Sequence, residues 1–170
     1  MEADGTSYLD AALQTEPESM EDYCNRGLVY YYMEDYVSAQ TELIEAINKG
    51  SKEAVLLMGS VYQAQGDYDN ARTMYNQYIS ENTDNARGYS GLAACDLSQG
   101  DYDGALEKIE QGIQTADADE LQDLLFNEIV VYEKKLDFAT ALTKTREYLD
   151  MYPDDTDAQK EEAFLKSRVS

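Results

Sequence analysis

Gln65-Gly66-Asp67-Tyr68-Asp69-Asn70-Ala71 and Gln99-Gly100-Asp101-Tyr102-Asp103-Gly104-Ala105 are two versions of one phrase, 34 residues apart. In each, glycine can take the left-handed conformation that ends a helix, and aspartate can cap the next one. Glu34-Asp35-Tyr36 and Leu136-Asp137-Phe138 hold the same place without glycine. Three residues after each aromatic comes an alanine, giving Ala39, Ala71, Ala105 and Ala141 at spacings of 32, 34 and 36. A recurrence of this length marks a repeat array, whose units bury their apolar faces only by stacking on neighbours.

Between these breaks, apolar residues recur at helical spacing, as in Val55, Met58, Tyr62 and in Ala71, Met74, Tyr75, Tyr78. No stretch reads as a strand. The pattern predicts helices over 6–14, 20–33, 36–48, 52–65, 68–81, 86–98, 102–115, 118–134, 138–150 and 156–167. The last opens on Thr156-Asp157-Ala158-Gln159, a capping-box spacing just after Pro153.

Composition narrows the function. The 170 residues are 43% hydrophobic, enough for a sizeable core, and carry 35 Asp and Glu against 13 Lys and Arg. The net charge of −22 is spread over both halves and interleaved with apolar positions, as on the solvated faces of helices. Phosphate binding needs clustered basic residues, so nucleic acid is excluded as a partner. No apolar run is long enough to span a membrane, and the start, Met1-Glu2-Ala3-Asp4, lacks a signal-peptide pattern. Cys24 and Cys95 lie 71 residues apart, about two repeats. Stacked helices sit about 8–10 Å apart, which puts the pair beyond disulfide reach and makes both small core hydrophobes.

Tyr89, Leu92, Ala93 and Ala105 follow the aromatic, leucine, small, alanine order of the tetratricopeptide repeat, and Gly27 with Tyr30 and Gly59 with Tyr62 match its small-residue and tyrosine pair. Ala46, Pro17 and Pro153 match its second alanine and closing proline. The chain thus resembles that family, and the resemblance implies an all-α fold, a right-handed superhelical α-solenoid of stacked helix-turn-helix units. It implies a single domain over 1–170: a half repeat at 5–19, repeats at 20–51, 52–85, 86–119 and 120–155, and a closing helix at 156–170. Departures are Asp96 for a tyrosine, Ile129 for a small residue, and Tyr78, Gly112 and Tyr148 for the second alanine. In the closing helix, Ala158, Phe164 and Leu165 are expected to face inward. The fifteen tyrosines are read as packing residues.

The resemblance also implies which side chains line the concave groove: Cys24, Leu28, Tyr31 and Tyr32; Leu56, Ser60 and Gln63; Arg87, Ser90 and Ala94; Phe126, Val130, Glu133 and Lys134. Cys24 and Leu28 stand where chaperone-tail binders carry a lysine and an asparagine, which argues against that subclass. The function expected is a scaffold that binds a peptide or helix of a protein partner, anchored by Tyr31, Tyr32, Leu56 and Phe126. Negative rims favour neutral or basic partners over acidic ones. The alternative is a structural or self-associating module with an idle groove.

With no histidine in the chain, Ser-His and Cys-His nucleophiles are excluded, and no catalytic, cofactor or metal site is assigned. Asp101-Tyr102-Asp103-Gly104 and Asp154-Asp155-Thr156-Asp157 resemble the start of a calcium loop but lack the later glycine and glutamate, so helix capping is the better reading. The half repeat would leave Tyr8, Leu9 and Leu13 uncovered, which suggests either a longer parent chain or a homodimer through that face. The acidic, tyrosine-rich style is similar to that of bacterial envelope-associated members of the family, with a cytoplasmic location as the other option.

Overall fold

Aspartates at the breaks do the capping that the sequence suggests. The computed structural model describes residues 13–14, 16–82 and 86–169. Asp35, Asp67, Asp101 and Asp137 each accept a hydrogen bond from the backbone N–H three residues on, at 3.0–3.2 Å. Each thereby satisfies one of the donors a helix start leaves open. The helices are α1 Met20–Tyr32, α2 Tyr36–Asn48, α3 Lys52–Ala64, α4 Tyr68–Glu81, α5 Ala86–Ser98, α6 Tyr102–Ile113, α7 Ala118–Lys134, α8 Phe138–Met151 and α9 Thr156–Lys166. No strand occurs among the described residues. Ser19 with Asp22 and Asp117 with Glu120 form reciprocal capping boxes on α1 and α7.

Observed ends lie within two residues of those expected; the largest difference is α6, which stops at Ile113 rather than residue 115. The first expected helix, 6–14, falls mostly outside the described residues, and Leu13 and Gln14 lie in a turn. The two calcium-like segments are caps: Asp101 binds the Gly104 N–H, and Asp155 binds those of Asp157 and Ala158.

Turns between paired helices share one geometry. The residue before each capping aspartate has positive φ: Glu34 (59°), Gly66 (76°), Gly100 (78°) and Leu136 (61°). Each aspartate N–H then reaches back to a carbonyl five residues earlier, on Tyr30, Tyr62, Asp96 or Tyr132, at 2.9–3.0 Å. This satisfies a carbonyl the ending helix cannot use itself.

Packing divides the chain into two compact units, Met1–Asn82 and Thr83–Ser170. In the first, α1 pairs with α2 and α3 with α4, and α2 packs on α3. Its core joins Ala39, Leu43, Ala46, Ala54, Met58 and Val61, with Tyr23, Tyr30, Tyr36 and Tyr62 against them. In the second, α5 to α9 pack in succession. One cluster holds Ala93, Ala105, Ile109, Leu124 and Val131, and another Ile129, Ala141, Leu142, Tyr148, Ala158 and Leu165. All four phase-setting alanines are fully buried.

Small residues sit where helices meet most closely. A Cβ on Gly27 would lie 2.6 Å from Leu43, and one on Gly59 would lie 2.6 Å from the Tyr75 ring. Both contacts join residues 16 apart, and the same offset relates Ala93 to Ile109 and Ile129 to Thr145. Where the first helix carries a bulky Ile129, the second carries a compact Thr145, and both are fully buried. The Thr145 hydroxyl donates to the Ala141 carbonyl at 2.8 Å, which removes the cost of burying it.

Both cysteines are buried. Burial pushes the Cys24 thiol up. Phe164 corrects an expectation: it is 43% exposed, with the Arg168 guanidinium 4.9 Å from its ring centroid. Ala158 and Leu165 are seven residues apart and share the inward face of α9, and position 164 is turned about 100° from Leu165. Among the described residues, no helix is long and apolar enough to cross a membrane.

Candidate functional site

The side chains expected along the groove separate into distinct surroundings. In the first unit, Tyr31 is half-buried and Tyr32 is 67% exposed. Their rings meet edge-on at 5.7 Å, and Tyr31 also lies 6.2 Å from Tyr36, so Tyr32 is the outermost of an aromatic group. Leu28 is half-buried. Leu56 is only 7% exposed, which corrects its reading as an anchor: it is already packed. Ser60 and Gln63 are tied to the buried Tyr75. The Tyr75 hydroxyl donates to Gln63 Oε1 at 2.8 Å and lies 3.3 Å from Ser60 Oγ.

In the second unit Arg87 and Lys134 are exposed, whereas Ser90, Phe126 and Val130 are half-buried. Ser90 and Phe126 come together in an open cleft of about 460 Å³, completed by Gln122, Asp123, Asn127, Tyr148, Asp155 and Asp157. One wall is aromatic: Phe126 meets Tyr148 edge-on at 5.7 Å, and Tyr148 meets Tyr152 at 4.9 Å.

Tyr148 is held from two sides. Its hydroxyl donates to Asp155 Oδ2 at 2.6 Å and accepts from Gln122 Nε2 at 2.9 Å. Burial and the bond to Asp155 push its pKa up to about 12, so the ring stays neutral and donating. The same bond and the N–H of Ala158 hold the Asp155 carboxyl below the usual range. One aspartate thus caps α9 and fixes the ring that backs the cleft. The arrangement is a rigid aromatic surface flanked by amides and carboxylates, suited to holding a side chain and a stretch of backbone. Among the described residues, no group of three or more Cys, Asp or Glu side chains is placed to hold a metal ion.

Sequence reasoning found Ser90 and Phe126 but missed Gln122, Asp123, Asn127, Tyr148, Asp155 and Asp157. Gln122 and Asp123 stand four and three residues before Phe126, and Asn127 four after Asp123, so helical spacing along α7 could have shown them. Tyr148 carried a fainter signal. A ring in place of an expected alanine must find room, and it does so beneath Phe126.

Glu133, also expected at the groove, faces another carboxylate instead. Glu133 Oε1 and Glu161 Oε1 are buried without a hydrogen-bond partner, one on α7 and one on α9. Burial first, and then the Glu161 carboxyl, push Glu133 up to about 7 from 4.5. The folded chain therefore holds this proton more tightly than the unfolded chain. The resulting stabilisation is full below about pH 4.5 and is lost as pH rises through 7. With solvent screening of the pair, Glu133→Gln should remove a pH-dependent loss of about 1 kcal/mol. Urea melts at pH 5 and pH 8 check this: the variant should gain on the wild type at pH 8 and match it at pH 5.

Residues 62–125 match the family model for the tetratricopeptide repeat. No curated protein sequence matches the chain. Among solved structures, it is similar to that of Pseudomonas aeruginosa PilF, at 19% identity and a TM-score of 0.74 over 93% of this chain and 69% of that one. It is also similar to the Cut9–Hcn1 hetero-tetramer structure of the APC/C, at 16% identity and a TM-score of 0.69 over 87% of this chain and 30% of that one. A tetratricopeptide repeat protein from Parabacteroides merdae aligns at 19% identity and a TM-score of 0.67, over 88% of this chain and 59% of that one. The chain therefore spans less than two thirds of the latter two. With its helices paired in a repeating register, this chain is an all-α helical-repeat solenoid, and its residues 62–125 match the tetratricopeptide repeat.

Proposed function

We propose that the chain is a protein-interaction scaffold whose second unit docks a peptide of a partner in the cleft between Ser90, Phe126 and Tyr148. Tetratricopeptide repeats are in general protein-interaction modules, typically without catalytic activity. The observation that carries the finer reading is the locked Tyr148. Its two hydrogen bonds make the aromatic wall rigid before any ligand arrives, and a prearranged surface loses less entropy on binding. Asn127 lines the cleft and can offer a peptide backbone both a donor and an acceptor. Asp123 and Asp157 line it too, favouring neutral or basic ligands. Tyr31 and Tyr32 form a second aromatic contact surface in the first unit. The repeat borders given above are retained as part of this proposal. The Cut9–Hcn1 structure is itself a hetero-tetramer, which fits a partner-binding role for the fold.

The test is a display selection of random peptides on the folded chain, followed by Phe126→Ala and Asn127→Ala. Aromatic anchors carry a large share of binding energy, so Phe126→Ala should weaken selected peptides at least about tenfold, or about 1.4 kcal/mol. Asn127→Ala removes the amide and keeps the aromatic wall, and should weaken them as well, with helicity unchanged. Selected peptides that bind both variants as tightly as the wild type would refute the cleft. Peptides lost instead on Tyr31→Ala would move the site to the first unit.

A further inference from the structure

A second recess in the Thr83–Ser170 unit shares no residue with the cleft. It holds about 530 Å³ along the seam of α6 and α7, with Lys144 of α8 at its edge. Leu106, Ile109 and Ile113 of α6 and Leu125 and Tyr132 of α7 supply its apolar lining. Asp103, Glu107, Glu110 and Glu128 line it as well. From Asp103 to Ile113 the seam follows about 15 Å of helix.

Comparison of the paired second helices sets this seam apart. One residue past the phase-setting alanine stand Gln40 in α2, Arg72 in α4, Leu106 in α6 and Leu142 in α8. Leu142 is 8% exposed and belongs to the core that Ala158 and Leu165 of α9 complete. Leu106 stays half-buried beside an open recess. The repeat therefore carries a leucine where two others carry polar residues, and leaves it partly uncovered.

Charge selects the occupant. Four carboxylates line the recess against the single ammonium of Lys144, which is itself engaged by Glu128 at 3.2 Å and Glu147 at 3.4 Å. Lys135 meets Asp103 at 2.6 Å and Lys108 meets Glu107 at 3.2 Å, whereas Glu107 and Glu110 remain exposed. A second copy of a chain of charge −22 would be repelled here, as would any acidic segment. We propose that this recess docks a cationic amphipathic segment of a protein partner, with apolar side chains on Leu106, Ile113, Leu125 and Tyr132 and lysines or arginines against Glu107 and Glu110. An apolar groove flanked by carboxylates is the complement of a basic amphipathic helix. The proposal stands independently of the peptide cleft.

The probe is a fluorescein-labelled 14-residue peptide of leucine and lysine at helical spacing, titrated into the full chain at about 0.15 M salt, where long-range attraction is screened. Fluorescence anisotropy should show saturable binding that weakens at least tenfold in Glu107→Lys/Glu110→Lys. A matched charge swap in the first unit, Glu21→Lys/Glu45→Lys, should change it less than twofold. Leu106→Gln, which borrows the residue α2 carries at Gln40, should weaken it about fivefold with helicity retained. Equal weakening by the two charge swaps would overturn the proposal by showing attraction to the acidic surface at large. Absence of saturable binding would overturn it too, as would a wild-type dimer that Glu107→Lys/Glu110→Lys dissociates, since the occupant would then be a second copy. Both charge changes lie on exposed positions, so the test survives even if Leu106→Gln fails to fold.

Discussion

Gly59→Ile should lower stability by about 3 kcal/mol, because it inserts a branched side chain where a bare Cβ already has no room. Its Cβ would sit 2.6 Å from Tyr75 Cε1 and 2.8 Å from Cδ1. The ring cannot swing aside: Tyr75 is 2% exposed and its hydroxyl is held by Gln63. The substitution copies the fourth repeat, where Ile129 stands at the equivalent position and Thr145 lies at the same offset of 16 residues. Transplanting both, as Gly59→Ile/Tyr75→Thr, should therefore recover part of the loss even though it sacrifices the tyrosine hydrogen bond. Thermal melts followed by circular dichroism should show a midpoint lower by about 6–12 °C for the single change. A double variant no more stable than the single one would refute the volume pairing.

Leu124→Ala should cost about 3 kcal/mol for the opposite reason, since it opens a cavity in the second unit. Leu124 is 1% exposed and lies over Gly112, so close that an added Cβ there would be 3.0 Å from one leucine methyl and 3.2 Å from the other. Once the leucine is truncated, its two contacts are gone and a methyl at position 112 is left with Tyr89 Cβ at 3.2 Å, which a shift of a few tenths of an ångström relieves. Leu124→Ala/Gly112→Ala should then regain about 1 kcal/mol, from cavity filling and from the better helix propensity of alanine. Urea denaturation of the four chains gives the coupling directly. Simple additivity of the two changes would mean that α6 and α7 do not depend on this contact.

What the sequence shows of this molecule is what repeats. The alanines at 39, 71, 105 and 141 and the aspartates preceding each aromatic are local signals, and each fixes a helix start or a buried contact within a few residues of itself. Such features survive without knowledge of neighbours. The site is harder because exposure depends on how far the next helix reaches. Family register puts Leu56, Ser60 and Gln63 on the groove face, yet Leu56 is buried and the two polar groups turn to Tyr75. The Tyr148, Gln122 and Asp155 network joins residues up to 33 apart in sequence through a ring that departs from the pattern. Glu133 and Glu161 likewise meet only because α7 and α9 bring them face to face. Phe164 shows the limit within one helix, since its neighbour Leu165 takes the inward position.

The four hairpin bends are alike in shape but not in comfort. Gly66 and Gly100 enter the left-handed region without a steric cost, whereas Glu34 and Leu136 pay for a side chain there. The easy bends join α3 to α4 and α5 to α6, and the uneasy ones α1 to α2 and α7 to α8. Within each unit, heat or force should therefore loosen the hairpin with the uneasy bend first, α1–α2 before α3–α4 and α7–α8 before α5–α6, an order of fraying that amide hydrogen exchange would display as unequal protection of the two hairpins.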